Sequence, residues 1–422
     1  MANDRKVDPK EGRKTHSSNE GAADRARVEK VADAFRNRYG REPECWVRAP
    51  GRVDAMGSHT DYNGGFVLTV PIDRDTWLVA ARREDHQVHL SSLNIEGDGQ
   101  FDCRDVLAER LSGWQIYVQA VAQLLVEDGY PLTGCDVMVH GTLPIGSGLS
   151  SSASLEAAVT VLFSQLGGFQ LDPVDMALLC QRAENKIVGV NCGVLDQYSV
   201  ILGEADSLLL LDCRDLKHSY AALPADILPV ICNTCTPRSL SNSAYGERRE
   251  SCMTGVRQIQ AQGRDIETLR DLSVADFAEV SAQLDPVVAR RCQFVVEENQ
   301  RVFDLAQAFE NDDRAAIGQL CRDSFMGARD LYEITVPNME AMFAAASESP
   351  GVIGVRQAGA GFGGCLVAFV ERDKVAAFER ECARRYQQRS SIAPEIYAVA
   401  AAPGAGRLVA ARQSAEKAFA TA

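Results

Sequence analysis

The stretch Pro144-Ile145-Gly146-Ser147-Gly148-Leu149-Ser150-Ser151-Ser152-Ala153 constrains this chain more than any other. Ahead of it, Cys135 to Gly141 alternates apolar with polar side chains, which predicts a strand. Behind it, Leu155, Ala158, Val159, Leu162, Phe163 and Leu166 recur at helical spacing up to Gly167-Gly168. A glycine and serine loop between a strand and a helix offers three things to a polyphosphate: backbone that can approach closely, unpaired amides at the helix start, and hydroxyls that can donate to phosphate or bind Mg2+. Many such loops bind nothing, so the loop alone leaves the matter open. It has no Gly-Lys-Ser/Thr ending, so it is not a Walker A loop, and it lacks the Gly-x-Gly-x-x-Gly spacing of a dinucleotide fold.

A chain of 422 residues that is 46% hydrophobic exceeds one ordinary domain, and two closely packed lobes are expected. The net charge of −14 argues against a nucleic-acid partner but not against ATP, which a few amides, arginines and Mg2+ can hold inside an acidic protein. There is no apolar run of membrane-spanning length and no signal-peptide core, so the expectation is a soluble, cytoplasmic protein without a membrane partner. No obligate protein partner is inferred. The thirteen cysteines are scattered singly, and Cys232-Asn233-Thr234-Cys235 is the one Cys-x-x-Cys, which favours buried reduced thiols over a metal site.

Residues 1–25 are rich in charge, Ser and Gly and read as a disordered extension. A first lobe over 26–220 and a second over 221–422 follow, with a boundary around Lys217 to Ala225. Helices are predicted over Val28–Tyr39, Trp114–Glu127, Pro173–Val188 and Lys374–Tyr386, and strands over Val47–Val53, Phe66–Arg82, Ser207–Asp212, Cys365–Val370 and Glu395–Ala400. Sequence from about Asn242 to Ser347 is helix-dominated, with Ser273, Asp285 and Asn338 as candidate caps.

Between the first two strands, Arg48-Ala49-Pro50-Gly51-Arg52-Val53-Asp54-Ala55-Met56-Gly57-Ser58-His59-Thr60-Asp61-Tyr62-Asn63-Gly64-Gly65 packs Arg, His, Asp and Tyr onto a glycine-hinged loop. That density of donors and acceptors suits a polyol, although a solvated turn would read the same way. The segment resembles the signature of galactokinases within the GHMP family of small-molecule kinases. Four further stretches resemble the same family in order: the loop at 144–153, Glu184 to Gln197, Arg238 to Arg249, and Gly359-Ala360-Gly361-Phe362-Gly363-Gly364-Cys365.

The resemblance implies an α/β, two-lobed fold, with a ribosomal-protein-like first lobe and a ferredoxin-like second lobe. It also implies an ATP-dependent sugar 1-kinase, with ATP and Mg2+ as cofactors and a small-molecule sugar as the other partner. Phosphoryl transfer to a sugar hydroxyl needs in-line attack, charge neutralisation and a destination for the hydroxyl proton. For the last, the resemblance implies Asp196, with Arg52 beside it; on residue pattern alone, a helix cap is the rival reading of Asp196. Ser152 and Glu184 match the family's Mg2+ ligands, while Glu184 as a surface partner of Arg182 or Lys186 is the alternative. Gly146, Ser147, Gly148, Leu149, Ser150, Ser151 and Ser152 would cradle the nucleotide phosphates, with Trp114 near adenine or, alternatively, in the core. Ser58, His59, Asp61, Gly193 and Tyr245 are the implied sugar contacts.

The chain departs from the family at three places. Ser58 stands where galactokinases usually carry Glu, Asp54 where Asn is usual, and Ala358 where Thr or Ser precedes the glycine cluster. A neutral, shorter Ser58 weakens discrimination at the far end of the hexose, so an arabinose or galacturonate 1-kinase is the alternative to a galactose enzyme. A non-catalytic sugar and ATP sensor on the same fold is the second alternative. The intact phosphate loop and the presence of Asp196 argue against it.

Overall fold

The computed structural model describes residues 16–144, 146–236 and 241–408. The first lobe is built on an eight-stranded sheet: β1 (Cys45–Met56), β2 (Phe66–Arg82), β3 (Gln87–Ser92), β4 (Gly99–Asp102), β5 (Cys135–Gly141), β6 (Ser207–Asp212) and β7 (His218–Ala222), completed by β12 (Gly406–Arg407) from the far end of the chain. The main path runs β12-β1-β2-β5-β3-β4, with β6 added to β2 and β7 to β6; only β3 and β5 pair in parallel. The long β1 survives its internal proline because the register slips between Pro50 and Gly51, where a lost ladder hydrogen bond is tolerated. Gly51 also has no room for a side chain: a Cβ there would lie 2.6 Å from the Leu149 carbonyl oxygen. The strand is thereby pressed against the 144–153 loop, and Arg52 N–H donates to that same oxygen at 3.2 Å.

Against one face of this sheet pack α2 (Gln115–Glu127), α3 (Ser151–Gly167), α4 (Pro173–Ala183) and α5 (Leu195–Ile201). The predicted strand, loop and helix is present as β5, residues 142–150 and α3. Helix α3 is buried on nearly every side, which explains why its apolar residues outnumber those of a one-faced amphipathic helix. Helix α4 ends in a single π-turn over Glu184–Val188, a local widening that often marks functional sites.

The second lobe has a four-stranded antiparallel sheet, β8 (Ile227–Asn233), β9 (Val352–Gln357), β10 (Cys365–Glu371) and β11 (Glu395–Ala398), in the order β11-β8-β10-β9. With it come α6 (Ser241–Ala261), α7 (Val274–Val280), α8 (Pro286–Glu310), α9 (Arg314–Asp330), α10 (Pro337–Ser347) and α11 (Val375–Ser390). Strand β10 is covered on both faces: Leu366, Ala368 and Val370 join a core with α10 and α11, while Val367 and Phe369 join one with α8, α9, β1 and β2. Two-sided burial is why it reads as a continuous apolar run. The second of these cores belongs to both lobes, joining Val53, Leu68 and Val70 to Val302, Leu305 and Phe309.

Three local expectations need correction. The first helix, α1 (His16–Tyr39), begins well before Val28, so residues 16–25 are helical and are not part of a disordered stretch; residues 1–15 lie outside the described ones. Ser273 and Asp285 do cap α7 and α8, but Asn338 does not cap α10. Pro337 takes the first helical position, where its missing N–H costs nothing, so the cap is Val336 and Asn338 donates instead to Thr236 Oγ1 at 2.9 Å. Finally, residues 401–408, assigned by sequence to the second lobe, return to the first sheet. Ala401 bridges Ile72, and β12 pairs with Val47 and Arg48 of β1.

Candidate active site

Arg52, on β1, is the point where the phosphate loop and the candidate base meet. Its Nε and Nη2 donate to Asp196 Oδ1 at 2.9 and 2.5 Å, and its Nη1 donates to the Gly148 carbonyl oxygen at 2.6 Å. Asp54 Oδ1 lies 3.0 Å from Arg52 Nε but off its N–H direction, so it forms an ion pair and no hydrogen bond. Burial works against the Arg52 charge, but Asp196 and Asp54 outweigh it and raise the guanidinium above its ordinary value. Burial likewise pushes the Asp54 carboxyl up, with Arg52 opposing. Asp196 is not a helix cap: Val194 holds that position, and Asp196 sits in the first turn of α5 with its side chain 30% exposed toward a cavity of about 590 Å3.

Gly146, Gly148, Ser150, Ser151 and Ser152 line that cavity. Gly146 and Gly148 take φ of 73° and 87°, and Ser150 takes 60°, a left-handed conformation that a serine holds only under constraint. Ser150 Oγ is buried without a hydrogen-bond partner at the start of α3, next to amides the helix leaves unpaired. Ser147 and Leu149 turn inward instead. Ser147 donates to the Pro144 carbonyl oxygen at 2.8 Å, and Leu149 enters the shared core.

His59, Asp61, Gly193 and Tyr245 line the same cavity. His59 has φ 65°, with Nδ1 2.7 Å from Tyr62 Oη and Nε2 3.0 Å from the Ala360 carbonyl oxygen; burial lowers its pKa to about 4, so the ring is neutral. Burial, aided by Asp196 and Asp54, pushes the Asp61 carboxyl up to about 6. Gly193 sits so close that a Cβ would lie 2.0 Å from Asp61 Oδ2. Tyr245 stands with its ring 5.3 Å from those of both His59 and Tyr62.

Glu184 opens the π-turn behind the phosphate loop. Its Oε2 accepts from Gln197 Nε2 at 2.8 Å and from Cys192 Sγ at 3.5 Å, the Ser152 hydroxyl is near enough to favour its charged form, and burial with the nearby Asp196 charge pushes it up to about 7. Arg182 goes to Asp128 instead, so the surface pairing with Arg182 considered for Glu184 is not made. Gln197 donates as well to Glu156 at 3.3 Å, a fully buried carboxyl pushed well up by burial and by Glu184.

Five sequence-predicted residues, Trp114, Ser58, Ser147, Leu149 and Glu184, stand outside the cavity wall. Trp114 packs beside the first-lobe core, its indole Nε1 buried without a partner. Ser58, 2% exposed, accepts from Arg356 Nη2 at 2.9 Å and donates to the Gly359 carbonyl oxygen at 3.4 Å, so it sits behind the cavity wall. The cavity wall adds Asp54, Arg249 and the backbone of Gly359 and Ala360, to which sequence reasoning gave no contact. Arg249 lay within a recognised stretch, and its position four residues after Tyr245 puts both on one face of α6.

Sequence comparison matches the galactokinase galactose-binding signature over residues 33–82, the GHMP kinases N terminal domain over 116–204 and the GHMP kinases C terminal domain over 305–388. A galactokinase of Roseiflexus sp. (strain RS-1) is 38% identical over 379 residues, 90% of this chain and 97% of that protein. One from Clostridium beijerinckii is 35% identical, covering 89% and 97%. Among solved structures, Lactococcus lactis galactokinase complexed with galactose superposes with a TM-score of 0.85 at 32% identity, covering 90% of this chain and all of that one. Methanococcus jannaschii mevalonate kinase shares the fold, with a TM-score of 0.59 at 14% identity over 85% of this chain and 98% of that one. By its matched signatures, and by relatives that align along nearly their whole length, the chain belongs to the galactokinase family of GHMP kinases.

Proposed function

We propose that the chain transfers the γ-phosphoryl group of ATP to the anomeric hydroxyl of galactose. The observation that carries this reading is that one guanidinium, Arg52, grips both Asp196 and Gly148 of the phosphate loop. Nucleotide phosphates and a proton acceptor are thereby held at one end of a single cavity, with His59, Asp61 and Tyr245 at hand for a sugar. Both Arg52 bonds fall on Asp196 Oδ1, which leaves Oδ2 to take the proton of the attacking hydroxyl. The Arg52 charge stabilises the developing alkoxide next to it, and the α3 N-terminus stabilises charge on the transferring phosphoryl group.

Mg2+ fits the donor set at Glu184 and Ser152, a buried carboxyl with a hydroxyl near it, with no cationic side chain bonded to the carboxylate among the described residues. A bound Mg2+ would neutralise phosphate charge and draw on Glu184 in its ionised form. Gln197 fixes the orientation of Glu184, and Ser152 presents its hydroxyl from the first turn of α3.

The alternative of an arabinose or galacturonate 1-kinase rests on Ser58, whose short, neutral side chain lies behind the cavity wall, bonded to Arg356 and to the Gly359 carbonyl oxygen. Incubation with ATP, Mg2+ and each of galactose, arabinose and galacturonate, read by 31P NMR, tests the reading. Galactose 1-phosphate as the main product is the expected outcome. Preference for either other sugar would replace the substrate, and no sugar-dependent ADP release with any aldose would replace the enzyme by a sensor.

A further inference from the structure

The sugar loop is held from the second lobe chiefly by two residues that do not line the cavity. Arg356 of β9 and Glu298 of α8 are both wholly buried and pair at 2.9 Å. Arg356 Nη1 donates to the Asp54 carbonyl oxygen at 2.9 Å, Nη2 donates to Ser58 Oγ at 2.9 Å, and Nε donates to Ser324 Oγ at 3.2 Å. Glu298 Oε1 accepts from Gly57 N–H at 3.3 Å and from Ser324 Oγ at 2.9 Å, while Oε2 takes Arg301 Nη1 at 3.0 Å. The next residue, His59, meets the Ala360 carbonyl oxygen. Gly57, Ser58 and His59 are therefore each tied, one after another, to the second lobe.

A non-glycine residue at φ 65° persists only where its surroundings over-determine it. Buried ion pairs add little net stability compared with apolar residues of similar size, so stability alone gives no reason for this pair. Its particular action is geometric: a planar fork delivers separate donors to the backbone of β1 and to the residue before His59. Resting on the reading of this loop as the sugar-binding segment, we infer that Arg356 and Glu298 are positioning residues that set the register of Gly57 to His59, and thereby sugar affinity, from the second lobe.

The test compares Arg356→Met, Arg356→Lys and Ser58→Ala with the wild type, measuring KM for galactose, KM for ATP, kcat and galactose affinity by calorimetry. Arg356→Met is expected to raise the galactose KM about tenfold, the loss of hydrogen bonds from a charged donor, while the ATP KM holds. Arg356→Lys keeps the charge without the fork and should fall between it and the wild type. Ser58→Ala, which leaves the ion pair intact, should raise the galactose KM about threefold. If Arg356→Met does not fold, the other two carry the test. Folded variants with unchanged galactose KM and affinity, or with sugar and ATP constants moving together, would overturn the inference. A wild type that neither binds nor turns over galactose would overturn the underlying reading instead.

Discussion

Gly193→Ala separates the sugar contact from the fold. The added methyl would lie 2.0 Å from Asp61 Oδ2 and 2.8 Å from its Cγ. Non-bonded heavy atoms settle at ~3.5 Å, so the carboxylate must swing aside by roughly 1.5 Å. Nothing in the backbone resists the change, since Gly193 is not among the residues of positive φ. Removing a glycine in such a conformation stabilises by up to about 1 kcal/mol, through the reduced freedom of the unfolded chain. Displacing a positioned group by about an ångström, in contrast, costs up to about a hundredfold in rate, or roughly 2.7 kcal/mol of transition-state stabilisation. Steady-state kinetics with galactose varied at saturating ATP should therefore show kcat/KM falling by that order, with the ATP KM and the melting temperature held. A variant with wild-type kcat/KM for galactose would show that Asp61 does not touch the sugar.

Asp196→Ala should lower kcat by roughly a hundred- to ten-thousand-fold while calorimetry still detects galactose; near-normal turnover would remove the proton acceptor assigned here. Glu184→Gln should raise the Mg2+ concentration for half-maximal activity by about tenfold or more, and an unchanged Mg2+ titration would take Glu184 out of the metal site. His59 supplies a pH dependence, because burial lowers it from 6.5 to about 4. Between those values the unfolded chain binds a proton that the folded one refuses, so stability is complete above about 6.5 and falls by roughly 3 kcal/mol as the pH drops to about 4. His59→Asn, which tolerates the left-handed backbone, should flatten that part of the profile in urea unfolding between pH 7 and 5; an unaltered slope would place the acid sensitivity elsewhere.

What the sequence disclosed depended on distance along the chain. The phosphate loop was legible because strand period, glycine placement and helix period all lie within about thirty consecutive residues. The meeting of Arg52 with Asp196 became legible only through family resemblance, since no local pattern joins two positions with seven strands and α-helices between them. The role of Ser58 was half visible: its departure from the usual Glu could be read, but its partner Arg356 lies on a strand of the other lobe. Ser147 and Leu149 were grouped with their neighbours because every residue of a Gly/Ser loop looks alike in sequence; alternation in the folded loop sends them inward. Asn338 misled because a side chain suited to capping was weighed without the proline just ahead of it.

The return of residues 401–408 to the first sheet has a consequence for how the protein is made. Val47 and Arg48 pair with Gly406 and Arg407, and Leu408 N–H donates to the Trp46 carbonyl oxygen at 2.9 Å. During translation the outer edge of β1 at Val47 and Arg48 emerges unpaired, and it stays so until Gly406 and Arg407 have been made, about 360 residues later. The first sheet is thus closed only by a segment made after the whole second lobe, and until then the seam along β1 offers unpaired backbone groups to any extended strand.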